Sequence, residues 1–251
     1  MKIAMLSGLL LSLVLCAGCR SHTVLAEKNA ELPPSVTLKT ARGQSYLLKP
    51  TAEKDRYKQA FEKENSGDPN EFIGKGRTGA KTQLANAPLE TYKNLWVLLT
   101  SLPGDESMLM HDPAIGHEAK SPRVAEEEGN IQVKVWLFAV KRDPDNSYRL
   151  ILGSYPTSNG ASFMSAIVSA LPPSGSQRAT LQQVRRNFEK LFAPALPTTA
   201  GYQLLQPAMP VLVTGSLYFD TEHSSTMIGP PHLHPQTAWE LRPLTEIIFE
   251  P

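Results

Sequence analysis

The chain has 251 residues, and 25 Lys plus Arg stand against 24 Asp plus Glu. That length suits one large domain or two small ones. Nonspecific nucleic-acid binding needs clustered positive charge, and no long basic run occurs, which argues against a DNA-coating role.

Met1-Lys2-Ile3 opens an apolar run that reaches Val14, broken only by Ser7, Gly8 and Ser12. Leu15-Cys16-Ala17-Gly18-Cys19-Arg20 follows. One positive charge, a short apolar stretch and small residues before a cut site are the parts of a secretory signal. The run is shorter than the ~20 residues a helix needs to cross a bilayer, and polar Arg20-Ser21-His22 comes at once. Ala17-Gly18-Cys19 resembles the lipobox of bacterial lipoproteins. That resemblance implies a signal peptide over residues 1–18 and a diacylglyceryl group on Cys19. Where a Leu is usual, three residues before the modified cysteine, this chain has Cys16, with Leu15 one place earlier. The other reading is ordinary cleavage near Ala17-Gly18, which leaves Cys19 as an exposed, oxidisable thiol. The expected protein is exported and held to membrane lipid through acylated Cys19, each buried methylene contributing about 0.8 kcal/mol. Arg20, in place of the Asp of an inner-membrane retention signal, favours the outer membrane in a host that has one.

Residues 19–38 are polar, contain Pro33-Pro34 and read as a tether. Residues 39–90 read as a loosely structured arm. A short helical pattern covers Glu53–Glu64, with Tyr57 and Phe61 on one face, and Gly67, Gly74, Gly76 and Gly79 then break it. Charge is uneven: residues 39–81 lean basic and residues 105–128 acidic, which reads as two solvated faces. Leu95-Trp96-Val97-Leu98-Leu99 looks like a strand stopped by Pro103-Gly104. Residues 104–130 look like a long loop with His111 and His117 in solvent.

From Asn130 the pattern is regular. Ile131, Val133, Val135, Leu137 and Ala139 alternate with Gln132, Lys134, Trp136 and Phe138, the period of a half-buried strand. Asp143-Pro144-Asp145-Asn146 supplies turn chemistry, and Tyr148–Leu152 is a second strand of the same hairpin. Ser162–Ala170 is a third. Leu181, Val184, Phe188 and Leu191 then mark one face of a helix, with Thr180 and Gln183 as a capping box or Ser176 as an earlier start. Pro210–Asp220 and Ala238–Phe249, the latter interrupted at Pro243, complete the set. Three strands, a helix and two strands are the order of an OB fold. The expected fold is mainly β: a five-stranded OB-like barrel over residues 91–251, with one helix between strands three and four and a less regular N-terminal region before it.

Three segments carry a second resemblance, over residues 124–250 or so. They are Lys141-Arg142-Asp143-Pro144-Asp145-Asn146-Ser147-Tyr148-Arg149-Leu150, Gly215-Ser216-Leu217-Tyr218-Phe219-Asp220-Thr221-Glu222-His223 and Trp239-Glu240-Leu241-Arg242-Pro243. They are similar to an uncharacterised, often exported bacterial family with an Asp-x-Asp-Tyr-His turn, a Gly-x-x-Phe-Phe-Asp-x-x-His strand end and a Glu-Ile/Leu-His-Pro segment. Asp143, Asp145, Tyr148, Asp220, His223, Glu240 and Pro243 match it. Arg149 and Arg242 stand where that family has histidines. A guanidinium is a permanent cation, so neither position can ligate a metal or shuttle a proton. The two arginines either hold an anionic ligand or form structural ion pairs with Asp145, Glu240 or Glu222.

Candidate ligand-binding residues are therefore Asp145, Tyr148, Arg149, Asp220, His223, Trp239, Glu240 and Arg242. Trp136, Phe138, Tyr148, Tyr218 and Trp239 are stacking platforms for a base or sugar, or else core. His223, His232 and His234 lie near Asp220 and Glu222, a donor set able to take a divalent metal. The stiff Gly229-Pro230-Pro231 loop also tolerates surface histidines. No Gly-x-Ser-x-Gly elbow, phosphate loop or dinucleotide fingerprint occurs. Two functions remain open: a membrane-tethered module binding an envelope protein or glycan without a cofactor, and a metal-dependent phosphodiesterase or nuclease centred on Asp220, His223 and the His232/His234 loop.

Overall fold

The computed structural model describes residues 32, 34–51, 68–198, 201–222 and 228–251. The signal with Cys16 and Cys19, the helical pattern of Glu53–Glu64 and His223 lie outside the described residues.

Among the described residues four α-helices and eight strands appear in the order β1 (Val36–Lys39), β2 (Ser45–Pro50), α1 (Thr78–Thr82), β3 (Leu89–Tyr92), α2 (Leu95–Ser101), α3 (Asp105–Leu109), β4 (Asn130–Arg142), β5 (Tyr148–Gly153), β6 (Phe163–Val168), α4 (Arg178–Phe192), β7 (Gln203–Phe219) and β8 (Trp239–Phe249). The fold is mainly β. All strands belong to one sheet, ordered β1-β2-β7-β8-β6-β5-β4-β3, and β7 also pairs with β4. That last pairing joins β4, β5, β6, β8 and β7 into a ring. Within it β6 and β8 run parallel, Ser165 opposite Glu240, while the other pairs are antiparallel.

The alternation of β4 puts Ile131, Val133, Val135 and Leu137 inside the ring. Leu150, Leu152, Met164, Ala166, Val213, Leu217, Leu241 and Leu244 join them. A bulge between Leu137 and Ala139 breaks the alternation, so Phe138 and Ala139 both fall in a second cluster on the outer face. Helix α4 lays Val184 and Phe188 of its expected stripe against the interior core and buries Leu181, but Phe192 rather than the expected Leu191 is the fully buried residue at its end.

Several expectations need correction. Leu95–Leu99 is not a strand but the start of α2, because the Asn94 side chain accepts a hydrogen bond from the Val97 amide at 2.9 Å and caps the turn. Leu95 and Leu98, three apart, are the face it buries. Helix α4 starts at Arg178, so Thr180 and Gln183 do not form its cap, and the Gln183 amide instead donates to Asn187 at 2.8 Å. The fourth strand of the ring begins at Gln203 rather than at Pro210. Its Pro207 falls at the irregular register opposite the β4 bulge, where a missing amide donor costs no ladder bond. Strand β8 continues through Pro243. There the register shifts around Gly215, whose added Cβ would sit 2.9 Å from the Pro243 carbonyl oxygen.

Residues 39–90, expected as a loosely structured arm, supply β2, α1 and β3, and β2 extends the sheet from β7. Among the described residues no helix is long and apolar enough to cross a membrane.

Candidate functional site

Strand alternation places Arg149 on β5, Ser165 on β6 with Ser169 just past its end, Glu240 and Arg242 on β8, and Tyr218 on β7 away from the interior core. All are buried. A polar outer face that is nevertheless buried is unusual for a sheet and must satisfy its own charges.

It does so with ion pairs. The Arg149 Nε donates to Asp143 at 2.8 Å, and its Nη1 donates to Glu240. Arg242 donates to Asp145 at 2.5 Å and lies 3.9 Å from Glu240. Lys141 stands 3.6 Å from Asp143. The turn between β4 and β5 positions both aspartates: Asn146 takes a positive φ, its amide donates to the Asp143 carbonyl, and the Ser147 amide donates to Asp145. Burial alone would weaken the Arg149 cation, but Asp143 and Glu240 more than offset it and raise its proton affinity well above the ordinary value. Burial likewise pushes Asp145 up, yet Arg242 and the Ser147 amide hold it below the usual carboxylate range. For Lys141 burial wins, and the ammonium is easier to deprotonate than normal.

A second buried pair adjoins this one. Arg77 takes a positive φ just before α1, and its Nη1 donates to Glu127 at 2.9 Å. Glu127 also accepts from the Val124 and Phe219 amides. Three cations ring Tyr218: Arg77 at 4.8 Å from the ring centroid, and Lys81 and Arg242 at 5.9 Å each. Burial and the neighbouring Asp220 still push its phenol far above the ordinary range. Arg123 donates to the carbonyls of Ala80, Gln83, Leu217 and Arg242, and burial lowers its pKa to about 10.

The structure thus brings Asp145, Arg149, Glu240 and Arg242 together, and the arginines act as ion-pair partners of carboxylates. Asp220 is buried at the end of β7, and its Oδ1 accepts from the Glu222 amide. Tyr148 and Trp239 are elsewhere. Tyr148 lies in the interior core against Phe188, its hydroxyl donating to Glu189 at 3.0 Å. Trp239 packs edge-on to Phe219, and its indole N–H donates to the Pro103 carbonyl at 2.9 Å. Both therefore leave the set of outer-face contacts. His223 lies outside the described residues. His234 donates Nδ1–H to the Ile228 carbonyl at 2.9 Å, while His232 sits exposed at a positive φ. Among the described residues no three His, Cys, Asp or Glu side chains converge as a metal site. His111 bonds the Pro113 carbonyl and Glu126, while His117 is exposed and meets Thr221 at 3.2 Å.

Sequence reasoning missed Arg77, Lys81, Glu127 and Lys141 as parts of this charged layer and named Tyr218 only as a stacking platform or core residue. One signal existed. Gly76 has no Cβ because one would lie 3.1 Å from both Glu222 Oε1 and the His117 carbonyl, so the glycine spacing marked a close approach. Glu127 had none, since the run Glu126-Glu127-Glu128 does not reveal which member turns inward.

Comparison with family models, curated proteins and solved structures gives no match to this chain.

Proposed function

We propose that this chain is an exported lipoprotein, anchored through Cys19 after loss of residues 1–18, whose folded part is a non-catalytic interaction module. In this reading β4 to β8 form an OB-like barrel: the ring order, the parallel β6–β8 pair and α4 between the third and fourth ring strands are what that fold requires. The resemblance over residues 124–250 to an often exported bacterial family belongs to the same reading.

One observation carries the non-catalytic part. OB barrels bind ligands on the outer face of their second and third strands. Here every residue of β5 and β6 is buried, on both faces, and the charges of the outer face are spent on one another. Arg149 and Arg242 stand where the resembled family has histidines, and arginine supplies neither a metal ligand nor a titratable group.

The test is mass measurement of the mature N-terminus together with metal analysis of the purified protein. A diacylated N-terminal Cys19, lost with membrane association in Cys19→Ala, and no stoichiometric metal are the expected results. An unmodified start overturns the anchor. Stoichiometric zinc or manganese removed by His223→Ala, with hydrolysis of phosphodiester substrates, overturns the module in favour of a hydrolase using Asp220, His223, His232 and His234.

A further inference from the structure

The polar outer face is filled from within, so an interaction module must present another surface. Among the described residues, large apolar side chains that are exposed concentrate in one segment: Leu89, Trp96, Val97, Leu109 and Met110. Trp96 is 56 % exposed and Met110 68 %. Single exposed apolar residues are ordinary, but a concentration on one part of a surface marks a contact site.

These residues share a location. Helix α2 packs on β3 and β4, and it buries Leu95 and Leu98 in the interior core while turning Trp96 and Val97 outward. Helix α3 buries Met108 in the same core and turns Leu109 outward. It is pinned to the start of β8, where Asp105 accepts from Thr237 Oγ1 at 2.5 Å and the Ala238 amide at 2.8 Å. Both helices therefore close the same end of the ring, with their outward faces over one buried cluster. The apolar side chains are held on anchored helices, a rigid arrangement that limits the ordering cost of binding.

Charge selects the occupant. On and beside these helices Glu90, Glu106 and Asp112 are exposed, against Lys93, while Glu126 pairs with His111 at 3.1 Å. A second copy docking on the same patch would set like charges face to face, and an anionic lipid surface would repel it.

We propose that the outward faces of α2 and α3 dock a basic, apolar segment of a partner protein, with Trp96 as the central anchor. Trp is the residue type that most often dominates such contacts, and surrounding carboxylates steer and select a cationic partner.

The experiment places a photo-crosslinking amino acid at position 96 of the full-length chain in cells, with position 155 as an exposed control. Mass spectrometry then identifies the crosslinked peptide. A protein segment that is net positive and rich in apolar residues, captured from position 96 and not from 155, is the expected result. Its yield falls at least tenfold with Met110→Ser and with Glu106→Lys, two surface changes that leave the core intact. Capture of this chain itself, of lipid, or of an acidic segment overturns the proposal, as does capture no greater at 96 than at 155. Fractionation of the same cells separates this from the anchor: a chain found outside the membrane that still crosslinks as expected loses the lipid reading and keeps the docking surface.

Discussion

Arg242 and Asp145 meet at 2.5 Å, tying the middle of β8 to the tip of the β4–β5 hairpin. Among the described residues the Arg242 Nε has no hydrogen-bond partner, so the pair holds its place through one arm of the guanidinium and through charge. Removing one partner of a buried pair leaves the other uncompensated. Arg242→Met is therefore expected to cost about 3–5 kcal/mol, read as a lower urea midpoint. Arg242→Met with Asp145→Asn removes both charges and costs less than the single change. A single substitution that leaves the midpoint unmoved would show the pair to be idle.

The same pair sets an acid limit. Asp145 is held below its ordinary value of 3.8 in the folded protein, so it stabilises the fold above that value. The contribution is lost as pH falls through the lowered folded value. Acid unfolding of the parent protein is expected below about pH 4. In Arg242→Met only the Ser147 hydrogen bonds still oppose burial at Asp145, and the transition moves to higher pH. Circular dichroism across an acid titration reads both, and coincident curves would sink the argument.

His111 gives a limit at the other end. Its two ring nitrogens lie 2.6 Å from the Pro113 carbonyl and 3.1 Å from Glu126, and only the imidazolium can donate to both. The Pro113 carbonyl and Glu126 raise its pKa. A raised folded value means the stabilisation is complete below the unfolded value of about 6.5 and disappears as pH rises through the folded one. An NMR titration should place His111 above the ordinary histidine value, and Glu126→Gln should lower it. A His111 value at or below the ordinary one would refute the two-acceptor geometry.

The ring was legible from residue 130 onward because its strands alternate and its helix keeps a 3.6-residue period. Both are local signals. Strand pairing between β2 and β7 joins residues more than 150 positions apart, and nothing in Ser45–Pro50 announces its partner. Leu95–Leu99 was misread for a different reason. A short apolar run has no period to separate strand from helix, and Asn94, the residue that decided it, is read only by its side-chain bond. The candidate site was half legible: turn chemistry located Asp143 and Asp145, and resemblance located Arg149, Glu240 and Arg242. The same resemblance points to Tyr148, and its aromatic ring makes Trp239 a candidate stacking platform, but alternation sends each inward beside an outward-facing neighbour.

That cap makes α2 open to test. Asn94→Ala removes the acceptor of the Val97 amide and is expected to cost about 1 kcal/mol. Asn94→Asp keeps the acceptor and restores most of it. The loss is read by thermal unfolding, with faster hydrogen exchange confined to Leu95–Ser101. Equal stability in all three proteins would mean that packing of Leu95 and Leu98 alone holds the helix.

Helix α4 closes the other end of the ring, and Phe188 is its central contact. The ring of Phe188 lies 4.7 Å from Tyr148 and 4.5 Å from Phe192, and it is completely buried. Phe188→Ala removes a whole aromatic side chain from a site with no room to collapse, because strands on both sides fix its walls. The expected cost is about 3–5 kcal/mol, and Phe188→Leu, which keeps most of the volume, costs markedly less. Tyr148→Phe separates packing from hydrogen bonding. It removes only the bond to Glu189, and because Glu189 also pairs with Arg185 at 2.9 Å, no acceptor is stranded. Tyr148→Phe is therefore expected to cost no more than about 1 kcal/mol. If Phe188→Ala proved as mild as Tyr148→Phe, the ring would be closing without its helix, and α4 would be an ornament rather than a plug.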